Sequence, residues 1–590
     1  MTIGDFVADR NYFNSSLSEQ DKEILINFND EEYVSSGGES EGEGSGSDSE
    51  MEVEALIDTT SDHRELRYTS TPVLLQAESP TARDNDGLLP SSTTLAATAL
   101  VPFAGFLTVI WQAPYQSPRP EGVIFDSANI AEHVYHVCAG DSAPDLYLRG
   151  SNVEVLATAL SDLLDEAIIA NDFTNILSPH RDFHVVNSDG TTRSLGEGIE
   201  REAVHQLFQR YLNSSAQWFM PRDNGHYTLR TFQTMHTSHR LRQITKLGAI
   251  CALLLILHQA PLPLDPSIFQ FLIHDCDLNS LHDAFIGEWH PELRQTLLAW
   301  NEAGPNSDLA QFRSHLASWM DIDNISCLEG RDEESHKAYA AEMLYTTIFG
   351  PAAPTHPEWK GFRLGFSLPC RNHAAFSQII RNCAGGPEAY LSRVWATGIH
   401  CLDDLSESMI IHEGDPVGLE VFRRHIADRD TTPTSLLLRF LGSSGIPCPD
   451  LFAQVQESFD PIIDLSTIDT PAFRPRMFAW AASGSPSVDM DLHFIKDQLM
   501  LLAQVHFIHG SDPQYATPRT RATMLEQKKI GFATCFHSVY IPMSIINSLA
   551  SVDYTRTSDS SPSEPSDFRC AFDHWLLCEV LAAIGGHSVL

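Results

Sequence analysis

The 590-residue chain has no Cys-x-x-Cys pair and no close run among its 11 cysteines, which excludes a small disulfide scaffold and the common zinc motifs. Basic side chains are scarce: 38 Lys and Arg stand against 78 Asp and Glu, a formal net charge of -40. A surface of that sign repels a phosphate backbone, so no nucleic-acid partner is expected. Long apolar runs are missing too. The longest, Leu247 to Leu257, falls short of the roughly 18 to 20 residues a membrane span needs, so no membrane partner is expected. The opening MTIGDFVADR lacks a basic stretch followed by an apolar one, so no secretory leader is expected, and the cytoplasm or nucleus is the expected compartment. No repeat is visible at periods of about 20 to 50 residues, which excludes a solenoid.

What is there divides unevenly. Asp30 to Glu54 holds ten carboxylates and no basic residue, set among Gly and Ser. Self-repulsion with little apolar surface predicts disorder, and the polar stretch Gln76 to Thr94 extends it, so residues 1–98 are expected to be a disordered acidic region. Serines among those carboxylates are also candidate phosphorylation sites. An apolar run predicts a strand over 100–110, and three- and four-residue apolar spacing predicts a helix over 153–169. Further helices are predicted over 200–212, 242–257, 266–273, 332–348 and 416–427. Beyond residue 440, repeated prolines predict short strands and loops in a small α/β domain.

Several segments carry a resemblance. Ala533-Thr534-Cys535-Phe536-His537-Ser538-Val539-Tyr540-Ile541-Pro542 is similar to the active-site segment of HECT-type ubiquitin ligases, in which Thr-Cys-Phe precedes an alternating apolar stretch and a proline. Leu438-Arg439-Phe440-Leu441-Gly442-Ser443-Ser444-Gly445-Ile446-Pro447 resembles the opening of that family's catalytic lobe. Upstream, Gly196-Glu197-Gly198-Ile199-Glu200-Arg201-Glu202 resembles a glycine-rich turn and helix start near the beginning of the N-lobe. Leu247-Gly248-Ala249-Ile250 with Leu262-Pro263-Leu264, and then Lys360-Gly361-Phe362-Arg363-Leu364-Gly365-Phe366, follow in the family's order. The chain departs at Ala533, where the family commonly has His, and at His537, where it commonly has Asn. It also has His587 where many members place an aromatic, and an apparent insertion over 483–521.

The resemblance implies an α+β, bilobal fold. A helix-rich N-lobe over 150–412 would contain a small partner-binding subdomain at about 355–405, and a C-lobe over 416–590 would carry the catalytic cysteine. His412-Glu413-Gly414-Asp415-Pro416, with a permissive Gly beside a helix-terminating Pro, would be the hinge, and an ordinary surface turn fits the same residues equally well. Cys535 is the implied nucleophile, taking ubiquitin from a charged ubiquitin-conjugating enzyme as a thioester and passing it to a lysine of a protein substrate. Thioester exchange is nearly balanced in free energy, so one accessible thiolate suffices and no cofactor is called for. On an extended strand His537 would sit about 6 to 7 Å from Cys535 on the same face, a candidate assisting base. Phe366, Phe376, Ile379, Ile380 and Trp395 are candidate partner-binding residues, because apolar and aromatic anchors suit such grooves; ordinary core residues are the competing reading of the same five.

Two other readings compete. A degenerate fold of the same kind would bind a conjugating enzyme or ubiquitin without carrying it, and the departures around Cys535 favour that. A papain-like thiol hydrolase would need its cysteine early in the chain, which Cys535 is not. His180 with His184, His506 with His509, and Cys370 with His373 have ligand-like spacing, yet each stands without two further ligands, so no metal is expected.

Overall fold

The computed structural model describes residues 125–585, less 126–128, 141–142, 189, 191, 223–224, 233–236, 321–324, 353–354, 407, 415, 427–430, 461, 488–502, 509–523, 525–528, 535–536, 553 and 555–564. The expected acidic region 1–98, the strand over 100–110 and His587 lie outside these residues.

The fold is α+β, mostly helical with small mixed sheets. Helices form where apolar spacing meets a capping residue. Val153–Ala170 starts on Asn152, whose side chain accepts from the Val155 N–H, and buries Val153, Leu156, Leu160 and Leu164. It ends on Asn171 in the left-handed conformation. Pro266–Ile273 and Glu333–Phe349 start on Asp265 and Asp332 in the same manner. No helix among the described residues is long and apolar enough to cross a membrane.

Among the described residues, nine strands make three sheets. β1 (Leu146–Gly150), β2 (Arg181–Val186) and β3 (Thr192–Leu195) form one, with β1 parallel and β3 antiparallel to β2. β4 (Phe219–Pro221) and β5 (Tyr227–Leu229) form a two-stranded ribbon. β6 (Met409–His412), β7 (Ala503–Ile508), β8 (Gly531–Ala533) and β9 (Ser538–Pro542) form the third, in the order β6-β7-β9-β8, with β8 antiparallel to β9 and the other pairs parallel.

Buried apolar side chains fall into two clusters, one running from Ile130 to Trp395 and the other from Ile399 to Ile584. The first is built around Ser238–Ile256, apolar on all sides in its second half, with Pro357–Ser367 lying along it. Two glycines let these backbones touch: a Cβ on Gly365 would stand 1.8 Å from the Thr245 carbonyl oxygen, and one on Gly248 would stand 2.1 Å from that of Phe362. At one end of the crossing, Arg240 Nε donates to the fully buried Glu358 at 2.7 Å.

The structure places several segments for which the sequence raised expectations. The helices Pro357–Ser367, Phe376–Arg381 and Gly386–Ala396, expected in a separate partner-binding subdomain at 355–405, contribute to the first cluster. The two apolar clusters divide between Trp395 and Ile399. β6 belongs to the third sheet, and Gly414 (φ 88°) is pressed so close to it that a Cβ would lie 2.5 Å from the Phe507 carbonyl oxygen. The region after 440 is largely helical, with Pro449–Val455, Phe473–Ser483, Met543–Ala550 and Phe568–Ala583 around one sheet. Prolines such as Pro449 and Pro475 sit in first turns, where a missing N–H costs nothing, so they start helices instead of breaking them. The stretch expected as an insertion, 483–521, supplies β7, an inner strand of the sheet.

Gly365→Ala is expected to destabilise the protein by about 3 kcal/mol, since backbone cannot yield as a flexible side chain can. A thermal melt followed by circular dichroism checks this; an unchanged midpoint contradicts the close crossing.

Candidate active site

β8 and β9 pair with Gly531 opposite Tyr540, Phe532 opposite Val539 and Ala533 opposite Ser538, so residues 534–537 are the whole connection between them. Phe532, Val539 and Ile541 point into the second core, which fixes the register: a one-residue slip would turn them outward. Cys535 and Phe536 lie outside the described residues. Their neighbours are placed. Thr534 is buried, and His537 is half-buried with φ 49°, a left-handed conformation in which His is tolerated better than most side chains. The His537 carbonyl accepts from the Gln504 N–H at 2.8 Å, tying the turn to β7. His537 therefore does not take the extended backbone expected of it, while Cys535, the other half of the expected pair, lies outside the described residues.

Thr534 rests on the helix Glu197–Leu212. A Cβ on Gly198 would stand 3.0 Å from the Thr534 carbonyl carbon and Cβ, and one on Gly484 would stand 2.2 Å from the Gly198 carbonyl oxygen. Three backbones meet there. Nearby, His205 of the same helix meets Trp480 edge to face at 4.6 Å, and Glu202 accepts from the Gly585 N–H at 2.7 Å. The sequence marked Gly196-x-Gly198 as a turn; its role as a contact with Thr534 carried no local signal.

On the sheet face away from the second core, rings stack across three strands. His412 lies on His506 at 4.5 Å with 1° between planes, and His506 on Tyr540 at 5.3 Å with 17°. The register puts these three residues side by side. His506 therefore packs against rings, while its sequence neighbour His509 lies outside the described residues.

Phe366, Phe376, Ile379, Ile380 and Trp395 are all buried in the first core, Trp395 the most exposed at 6%. Phe269 packs on both Phe366 and Trp395, with ring centroids 5.6 and 5.4 Å away, and Phe376 meets Phe366 edge to face. All five therefore pack as core residues, the competing reading of them.

A Ser, His and Asp also converge elsewhere. Ser267 Oγ lies 3.0 Å from His290 Nε2, and Asp265 Oδ1 lies 3.2 Å from the same nitrogen. A hydrolytic triad uses the two ring nitrogens for different partners, and Ser267 and Asp265 are fully buried, so this cluster is structural. Among the described residues no group of three His, Cys, Asp or Glu is placed to hold a metal ion.

Burial, with the Arg476 charge second, pushes the His205 imidazole down to about 3. Burial likewise pushes His574, on the Phe568–Ala583 helix, down to about 4. An unfolded histidine titrates near 6.5, so between these values the unfolded chain binds the extra proton. The contribution is complete above about pH 6.5 and is lost as the pH falls toward 3. Stability of the wild type is expected to drop by more than about 1 kcal/mol between pH 6.5 and 4, measured by urea melts. His205→Phe, which keeps a ring against Trp480, is expected to have the shallower slope; an equal slope contradicts the assignment.

No protein-family model and no curated protein matches the chain.

Proposed function

We propose that the protein is a HECT-like ubiquitin ligase that accepts ubiquitin from a charged conjugating enzyme on Cys535 and passes it to a substrate lysine. The carrying observation is that the Thr534-Cys535-Phe536-His537 sequence falls between β8 and β9, with Thr534 and His537 placed at its two ends. Proximity is most of what thioester exchange needs. In the first step the Cys535 thiolate attacks the thioester carbonyl of the charged enzyme, a new sulfur–acyl bond forms, and the conjugating enzyme leaves as its thiolate. In the second, a substrate lysine amine attacks, the amide forms, and Cys535 is released. An ordinary thiol with a pKa of about 8.5 supplies a few per cent thiolate at neutral pH. His537, two residues on, is retained as an assisting group.

The seating of Thr534 on Gly198 supports a second reading, a non-catalytic adaptor that binds a conjugating enzyme or ubiquitin. In the catalytic reading the contact between Thr534 and the 197–212 helix opens when the charged enzyme docks.

The test is a thioester assay with activating enzyme, a panel of conjugating enzymes and ubiquitin. A ubiquitin adduct that reductant removes is expected, and it is expected to be lost in Cys535→Ala. Binding of a conjugating enzyme without any adduct assigns the protein to the adaptor reading.

A further inference from the structure

We propose that Cys448 and Cys570 form a reversible disulfide, a modification site separate from Cys535. Their sulfurs lie 2.9 Å apart although the residues are 122 positions apart in sequence. A disulfide needs about 2.05 Å, so less than about 1 Å of further approach closes the bond. Both side chains are held by secondary structure. Cys448 caps the helix Pro449–Val455, and Cys570 sits in the first turn of Phe568–Ala583, where its N–H bonds Asp567 Oδ1 at 2.8 Å. The flanking elements are clamped as well. Arg439 grips Asp573, one turn along from Cys570, with both carboxylate oxygens engaged at 3.1 and 2.7 Å, and Arg474 reaches the carbonyls of Phe440 and Gly445.

The two thiols are not equivalent. Cys448 is buried, while Cys570 is half-exposed and sits at a helix N-terminus, where a thiolate is favoured. The Cys448 thiol beside it lowers Cys570 to about 7, against the opposing effect of burial. These roles set an order of events with a low-molecular-weight disulfide such as glutathione disulfide as oxidant. The Cys570 thiolate attacks one sulfur, forming a mixed disulfide and releasing one glutathione thiolate. Cys448 then gives its proton to water and attacks the Cys570 sulfur, releasing the second glutathione. Two thiols are oxidised, one glutathione disulfide is reduced, and two protons are lost. The contact between Cys138 and Cys370 lacks this route, since both are buried. The crosslink ties the start of the last helix to the chain leaving Pro433–Leu441 and encloses the sequence that holds β7, β8, β9 and Cys535. In a chain otherwise suited to a reducing compartment, such a bond is a reversible mark and not a permanent staple.

The experiment uses the full chain, and a Cys535→Ser version to separate this pair from the proposed nucleophile. Folded protein is treated with glutathione disulfide, raised in concentration until half-exposed Cys401 carries glutathione, then blocked with N-ethylmaleimide and digested without reduction. Mass spectrometry is expected to find the Cys448 and Cys570 peptides joined, two hydrogens lighter than the sum, in both versions. Closing so long a loop is expected to raise the melting midpoint by about 5 °C or more, with reversal by dithiothreitol and loss of the shift in Cys570→Ser. The proposal is overturned if both cysteines still take up N-ethylmaleimide once Cys401 is modified. It is equally overturned if Cys570 stops at the mixed disulfide.

Discussion

The helix Glu197–Leu212 is held by carboxylates with almost no water to solvate them. Glu200, 4% exposed, pairs with Arg181 of β2 at 2.5 Å and receives the Tyr135 hydroxyl, and Glu202, 1% exposed, receives the Gly585 N–H. An ionised carboxylate taken from water costs several kcal/mol unless charge or hydrogen bonds replace the solvent, so neither partner can be removed alone without penalty. Glu200 faces the first core and Glu202 faces the end of the last helix. One helix thus specifies where both must sit.

The rest of the seam follows from that placement. With the helix fixed on both sides, Gly198 comes against Thr534 and Gly484, and His205 meets Trp480. Each contact demands a small or neutral group: a Cβ on Gly198 meets the Thr534 backbone, and a protonated His205 would need solvation that its surroundings cannot supply. Thr534 is therefore coupled, through packing, to a helix more than 300 residues earlier.

A similar economy of buried charge organises the second core. Asp573, 6% exposed, is claimed by Arg439 and approached by Arg474 at 3.7 Å. Burial pushes its carboxyl up to about 6, with the two guanidiniums opposing. These groups link Pro433–Leu441, Phe473–Ser483 and Phe568–Ala583 around the sheet, and they hold the first turn of the last helix close enough to Cys448 for the sulfurs to touch.

Much of the helical content was legible because it is local. The helices predicted over 153–169, 266–273 and 332–348 match the observed ones to within about a residue. The prolines after 440 were misleading, since the same residue that breaks a helix interior begins a helix at its first turn. What only tertiary structure decided is whatever depends on chain segments far apart: the burial of Phe366, Phe376, Ile379, Ile380 and Trp395, the left-handed turn at His537, and the meeting of Cys448 with Cys570. The division of cores near 396–398 belongs with these. Periodicity reports which face of an element is apolar, because that repeats every few residues; it holds no information on which distant backbone or ring covers that face. That choice is made by close packing, and here it is made along the helix Glu197–Leu212.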